Sequence, residues 1–336
     1  MKTKSTDRKR MILMSASILF ITAFSSCKKD KIQTADPTTE SQKGASNTVS
    51  ATTTVYLPVN SNSASFQTLV NAAVDGDVII LRTGNHYVTT PISLPIGKNN
   101  ITIRGEAGAV IRKAPNSYSA AAIEIRGNNN IIDLIELDGG NLPEAGIIIY
   151  GQRNTISNSK IHNCGNSSAL GAGILLHNTG NPVCSYNTVV GCSVYYNYMV
   201  GVSQNGHSNG TVKDNQIYEN GAEGLTIDLL SHNNLTNNNF INKNNTANRG
   251  VGGIGIDQAN GNSITNNTVS NTYYKSGLTF QNNIGGCDGT IVNGNRFNNN
   301  AMYGILQRQT QYANTNTTIT PNTYSGNVSG TTFIQY

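Results

Sequence analysis

The chain has 336 residues, with 34 Gly, 8 Pro, no Trp and only 12% charged residues, a size that suits one large domain or two ordinary ones. Its formal charge of +5 is concentrated at the start: residues 1–26 hold five Lys/Arg and one Asp, leaving 18 basic and 17 acidic residues in the rest. A body so close to neutral argues against nucleic acid as a partner.

Residues 1–26 read as an export segment. A basic start (Lys2, Lys4, Arg8, Lys9, Arg10) precedes the apolar run MILMSASILFITAF, which at 14 residues is too short to span a membrane. The stretch FSSCKKD, with Ser25 and Ser26 before Cys27, resembles the lipobox of bacterial lipoproteins. That resemblance implies a diacylated Cys27 as the new N-terminus, and Lys28 after it implies anchoring at the outer membrane. Residues 27–52 are polar, rich in Ser and Thr and without apolar periodicity, so they read as a disordered tether between lipid and domain.

Ordered structure is expected over 53–336. Phe66, Leu69, Val70 and Ala73 stand at helical spacing behind a Ser-rich N-cap region, and DGDVIIL follows as a short buried strand. Beyond them, a small residue followed by alternating apolar positions recurs as AIEIR, GIIIY, GILLH, GVSQN, GLTID, GIGID, GLTFQ and GILQR. These begin at Ala122, Gly146, Gly173, Gly201, Gly224, Gly253, Gly277 and Gly304, at intervals of 23 to 29 residues. One interval per coil predicts an all-β, single-domain, three-sheet parallel solenoid of roughly eight to ten coils, stabilised by stacking. Its inward residues are one and three places after the small residue, such as Ile147 and Ile149 or Leu225 and Ile227; Gln204 and Gln307 break that rule. Between these strands, Asn215, Asn238, Asn267 and Asn295 recur and predict an inward asparagine ladder. Cys164, Cys184, Cys192 and Cys287 are irregularly spaced, without a CxxC or zinc pattern, and read as small buried thiols.

In a solenoid, equivalent residues of successive coils stack about 4.8 Å apart. The fourth residue after each small one therefore forms one outward row: Arg126, Tyr150, His177, Asn205, Asp228, Asp257, Gln281, Arg308. Every member carries a functional group, and the parallel row two places earlier is small at its centre (Ser203, Thr226, Gly255, Thr279). Asp228 and Asp257 on adjacent rungs repel unless one is protonated or a cation sits between them. They could bridge a calcium ion, act as a glycosidase acid and nucleophile, or simply bond the following turn. Glu223 is a third nearby carboxylate. Arg126, Tyr150 and His177 could instead supply the neutralising group, acid and base that β-elimination next to a uronate carboxylate needs. Asn205, Gln281 and Arg308 extend the row as substrate contacts, and Lys275 beside Tyr273 and Tyr274 could form a sugar-stacking wall. His207 and Arg249 fall in loops flanking the same groove.

The helix, the Gly-Asp turn and the strand VIILRTGNHYV resemble the N-terminal cap of right-handed parallel β-helix proteins, and the repeats extend that resemblance to the pectate-lyase-like superfamily. It implies a right-handed β-helix that processes polysaccharide: lyases, glycoside hydrolases and alginate epimerases share the fold. The coils over VGVSQNGHSNG resemble the mannuronan epimerase repeat in layout. The epimerase signature Tyr-Gly-Phe-Asp-Pro-His falls on Val200, Gly201, Val202, Ser203, Gln204 and Asn205, so its catalytic residues are absent. The polygalacturonase signatures are missing too. The expectation is a monomeric, lipid-anchored β-helix that cleaves an acidic glycan by elimination; hydrolysis by Asp228 and Asp257, or non-catalytic glycan binding, are the alternatives.

Overall fold

The protein folds as a right-handed parallel β-helix of about ten turns. The computed structural model describes residues 52–335 apart from 115–120, 142–143, 167–170, 181–182, 284 and 310–311; the export segment, Cys27 and nearly all of the tether lie outside the described residues. Among those described, 31 short strands and one helix form three sheets of 11, 10 and 10 strands, each strand pairing in parallel with its counterpart one coil away.

The helix, Ser63–Ala72, closes the N-terminal end. Asn62 caps it by accepting the Ser65 N–H, and its apolar face buries Phe66 and Val70 over the first coils. The recurring small residue marks where a strand enters the second sheet against its neighbours. A Cβ on Gly201 would stand 2.6 Å from Ile217 Cγ2 and from the Gly224 carbonyl oxygen, so nothing larger fits. From that fixed point the alternation of the strand sends Ile123, Ile125, Ile147, Ile149, Ile174, Leu176, Leu225 and Ile227 into the core, all fully buried.

Three asparagine ladders run through the stack rather than one. The first is Asn215–Asn239–Asn267–Asn295–Asn322, the second Asn197–Asn220–Asn244 with Thr272 before Asn300 and Asn327. In each asparagine-to-asparagine step one residue's backbone N–H donates to the next side-chain oxygen. The residue expected at Asn238 is displaced by one: Asn239 points inward, while Asn238 holds the left-handed corner (φ 52°) and donates to Asp214. In a run of three asparagines the corner and the ladder use the same residue type, which is why spacing alone misplaced the frame.

The third ladder, Asn130–Asn154–Asn187, is interrupted before Asn234–Asn262, and the interruption accounts for Gln204. Gly210 stands where an asparagine belongs, and a Cβ there would lie 1.8 Å from His207 Cε1. His207 is thus no groove residue. Its fully buried ring fills the gap, Nε2 accepting from Asn187 (3.3 and 3.4 Å) and Nδ1 donating to Asn234 Oδ1 (3.0 Å), with Gln204 Oε1 at 3.4 Å. The inward glutamine therefore belongs to the polar surroundings of a buried imidazole. Burial pushes His207 down to about 4.

Cys164, Cys184, Cys192 and Cys287 are buried free thiols. Burial raises all four, the last three to about 12.

Candidate functional site

The ten-stranded sheet that includes Ala145–Ile149, Ala172–His177, Val202–Asn205, Leu225–Asp228, Gly252–Asp257 and Ser276–Phe280 carries the outward row. Its register pairs His177 with Asn205, Asn205 with Asp228, and Asp228 with Asp257, so the row is continuous along the solenoid. A cleft of about 370 Å³ opens over this face. Tyr150, His177, Asn205, Asp228, Asp257 and Gln281 line it, together with Glu223 from the turn before its strand. Met199, Val200 and Val251, from the loops that enter the sheet, supply apolar wall.

Four residues expected to act here stand elsewhere. Arg126 pairs through Nε with Glu124 and lays its guanidinium 4.2 Å from the Tyr150 ring centroid, so it backs the tyrosine without lining the cleft. Arg308, Lys275 and Tyr274 do not line it either; Tyr274 is exposed and its ring meets that of Tyr273 at a tilt. Arg249 is committed to Tyr198, whose ring it covers at 3.7 Å and whose carbonyl oxygen it donates to.

The acidic side of the cleft is built around Glu223, which the repeat pattern marked only as a neighbour. It is 7% exposed, and Oε1 accepts the Val251 N–H at 2.6 Å. Two glycines make its seat. A Cβ on Gly250 would come within 2.5 Å of Glu223 Cδ and Oε2, and one on Gly255 within 3.3 Å of Glu223 Cγ. The small centre of the second outward row thus leaves room for a carboxylate from the coil before, a signal that needed the packing to be interpreted. Burial raises Glu223 above the ordinary carboxylate range, against the pull of the Val251 N–H.

Asp228 is a second perturbed acid of the cleft. Its Oδ1 is buried with no hydrogen-bond partner. Burial first, then the charges of Glu223 and Asp257, push it up to about 7. It is therefore substantially protonated at neutral pH, and the orphaned oxygen is consistent with a group that meets its partner only when substrate arrives. Asp257, one rung on, accepts the Asn283 N–H on Oδ1 at 3.0 Å. Among the described residues no three His, Cys, Asp or Glu side chains are grouped to hold a metal ion.

At the other end, the Tyr150 ring meets His177 edge-on, with centroids 5.7 Å apart and planes at 63°. Burial lowers His177 while a hydrogen bond with Asn205 opposes it, and His177 Nδ1 is buried without a partner. Tyr150 is raised, by burial and then by Glu124. The cleft thus sets a neutral imidazole two rungs from a protonated carboxyl group.

A family model described as "Right handed beta helix region" matches residues 93–245. No curated protein matches the chain. Among solved structures, the enzymatically active domain of tailspike protein 2 from bacteriophage CBA120 superposes with a TM-score of 0.61 at 16% identity, over 83% of this chain and 46% of that one. A tailspike of Acinetobacter baumannii bacteriophage Fri1, described as a capsular polysaccharide depolymerase, gives 0.59 at 12% identity over 84% and 57%. A pectate lyase gives 0.53 at 18% identity over 81% and 79%. The chain spans about half the length of the tailspikes, and at these identities the likeness is one of fold.

Proposed function

We propose that the cleft cleaves a polysaccharide by hydrolysis, with Asp228 as general acid and Asp257 as its carboxylate partner. The observation that carries this reading is the buried, unpartnered Oδ1 of an aspartate that holds its proton near neutral pH, one rung from a second aspartate. Asp228 gives that proton to the glycosidic oxygen as the C–O bond breaks. Asp257 attacks the anomeric carbon from the opposite face, and water, deprotonated by Asp228, then releases the sugar. Neighbouring rungs about 4.8 Å apart suit a retaining displacement, which needs carboxyl groups about 5–5.5 Å apart. Similarity to a capsular polysaccharide depolymerase and to a pectate lyase supports a glycan as the substrate.

Elimination is the second reading, and it rests on His177. A neutral imidazole with a free Nδ1, packed against Tyr150, has the makings of a base and an acid. A turnover assay on a glycan panel separates the two. Hydrolysis releases reducing ends without ultraviolet absorbance, and Asp228→Asn slows their release by about 10²–10⁴-fold. An absorbing unsaturated uronate whose formation survives Asp228→Asn but not His177→Ala would transfer the chemistry to the other end of the cleft.

The reading has a place as well. Lipid anchoring through Cys27 predicts that the full chain incorporates labelled palmitate and that Cys27→Ala does not; equal labelling would sink it.

A further inference from the structure

Catalysis aside, the cleft has a charge inventory that bears on what can enter it. Among the described residues its lining holds four carboxyl groups, Glu144, Glu223, Asp228 and Asp257, and neither lysine nor arginine. Of the cations around it, Arg126 is engaged by Glu124 and the Tyr150 ring and Arg249 by Tyr198, while Arg308 and Lys275 do not line it. His177, the one remaining basic group of the lining, is held toward its neutral form by burial. Between the acids, the walls are apolar, with Ile148, Leu175, Met199, Val200 and Val251.

A polymer of uronates would bring a carboxylate on every residue into this space. Nothing in the lining neutralises such a group, and a carboxylate placed there meets acidic side chains in a site of reduced dielectric, where repulsion is least screened once they ionise. Proton abstraction next to a uronate carboxylate has the further need of a cation on that carboxylate, to stabilise the charge that develops. The acidic glycan expected from the sequence therefore meets the wrong electrostatics. A sugar bearing hydroxyl, acetamido or amino groups meets carboxylates that accept its hydrogen bonds, and apolar walls suited to C–H faces and acetyl methyls.

We propose that the cleft takes a carboxylate-free glycan, built of neutral or amino sugars, and discriminates against polyuronates. This deepens the reading of the cleft as a glycan-processing site and rests on it. Pairs that share a backbone and differ in charge provide the test, by calorimetric titration of the mature chain at pH 7. The probes are galacturonan oligosaccharides against their fully methyl-esterified forms, and chitin against chitosan oligosaccharides. The esterified member should bind about tenfold or more tighter than the acid, the chitosan member at least as tightly as the chitin member, and Gln281→Arg should narrow the first gap by supplying a cation.

Equal or tighter binding of the galacturonan acid overturns the proposal, as does failure of all three carboxylate-free probes to bind. Reducing-end release on the same samples keeps the two claims apart. Carboxylate-free binding without bond cleavage leaves the specificity standing and removes the hydrolase. Asp228-dependent cleavage of the galacturonan acid does the reverse.

Discussion

The asparagine ladders and the cleft both bury polar groups, and they treat them in opposite ways. In the ladder at Asn239, Oδ1 accepts from the Asn215 backbone N–H and side chain, while Nδ2 donates to the Val212 carbonyl oxygen and to Asn267. Every polar atom of that side chain is engaged, and the same holds at Asn215 and Asn267, whereas Thr272, which replaces an asparagine in the second ladder, leaves its Oγ1 unpaired. In the cleft, Asp228 Oδ1 and His177 Nδ1 are buried and unpaired. Satisfied polar groups fix the register of a stack at little net cost, whereas unsatisfied ones weaken the fold and await something from outside. The same solenoid therefore keeps its structural polarity in the inward turns between strands and its reactive polarity on the outward face of one sheet.

The largest expected effect lies on the reactive side. Asp228→Asn should lower turnover by about 10²–10⁴-fold, the usual contribution of general acid catalysis, read as initial rates on whichever glycan is cleaved. The same change should stabilise the protein above neutral pH. The folded-state value of about 7 lies above the unfolded value of 3.8, so this group favours the fold below 3.8 and loses that contribution as pH rises through 7. Removing it should gain up to about 4 kcal/mol at pH 8 and little at pH 4, in urea unfolding at the two pH values. A variant less stable at both would count against a strained, protonated aspartate.

On the structural side, Asn239→Ala leaves the Asn215 amide, Asn267 and the Val212 carbonyl short of partners. A loss of about 3 kcal/mol or more in urea unfolding is expected, with no change in KM for the glycan. Asn238→Ala, one residue away on the exposed corner, should cost well under half of that. Equal losses would erase the distinction between ladder and corner.

His207 joins the two kinds of polarity, being paired yet titratable. Its folded value of about 4 lies below the unfolded 6.5, so its neutral form supports the fold fully above 6.5, and that support fades as pH falls toward 4. The full span is about 3 kcal/mol. His207→Gln should flatten that acid limb of stability, followed as Tm from pH 7 to 4. The smallest effect concerns the thiols. Cys184, Cys192 and Cys287, each pushed up to about 12 and buried, should resist thiol reagents at pH 8 until urea opens the coils, and fast labelling of the native protein would contradict their burial.

Much of the fold was legible in the sequence because a solenoid repeats its reasons. Eight small residues fixed the strand entries, and the count of four from each fixed a row that the register Asn205–Asp228–Asp257 reproduces. What the count could not show was reach. Arg126 and Arg308 share the row but not the cleft, and the long side chain of Arg126 is taken up by Glu124. Glu223 lay off the row, and its importance depends on the space left by Gly250 and Gly255, one coil away in contact and far away in spacing. Gln204 was unaccountable alone, since its explanation is the absence of a side chain at Gly210.

That absence has a mechanical consequence. A stack of coils held by nearest-neighbour bonds behaves like a chain of links, and its failure begins at the weakest one. Here one link in the series is an imidazole wedged between Asn187 and Asn234, and it alone loses its acceptor when protonated. Acid should therefore part the β-helix in its middle before fraying its ends, leaving two half-solenoids joined at this breach. Hydrogen exchange near pH 4 should report it as early loss of protection around 187–234, and protection lost first from the termini would show that the stack has no such fuse.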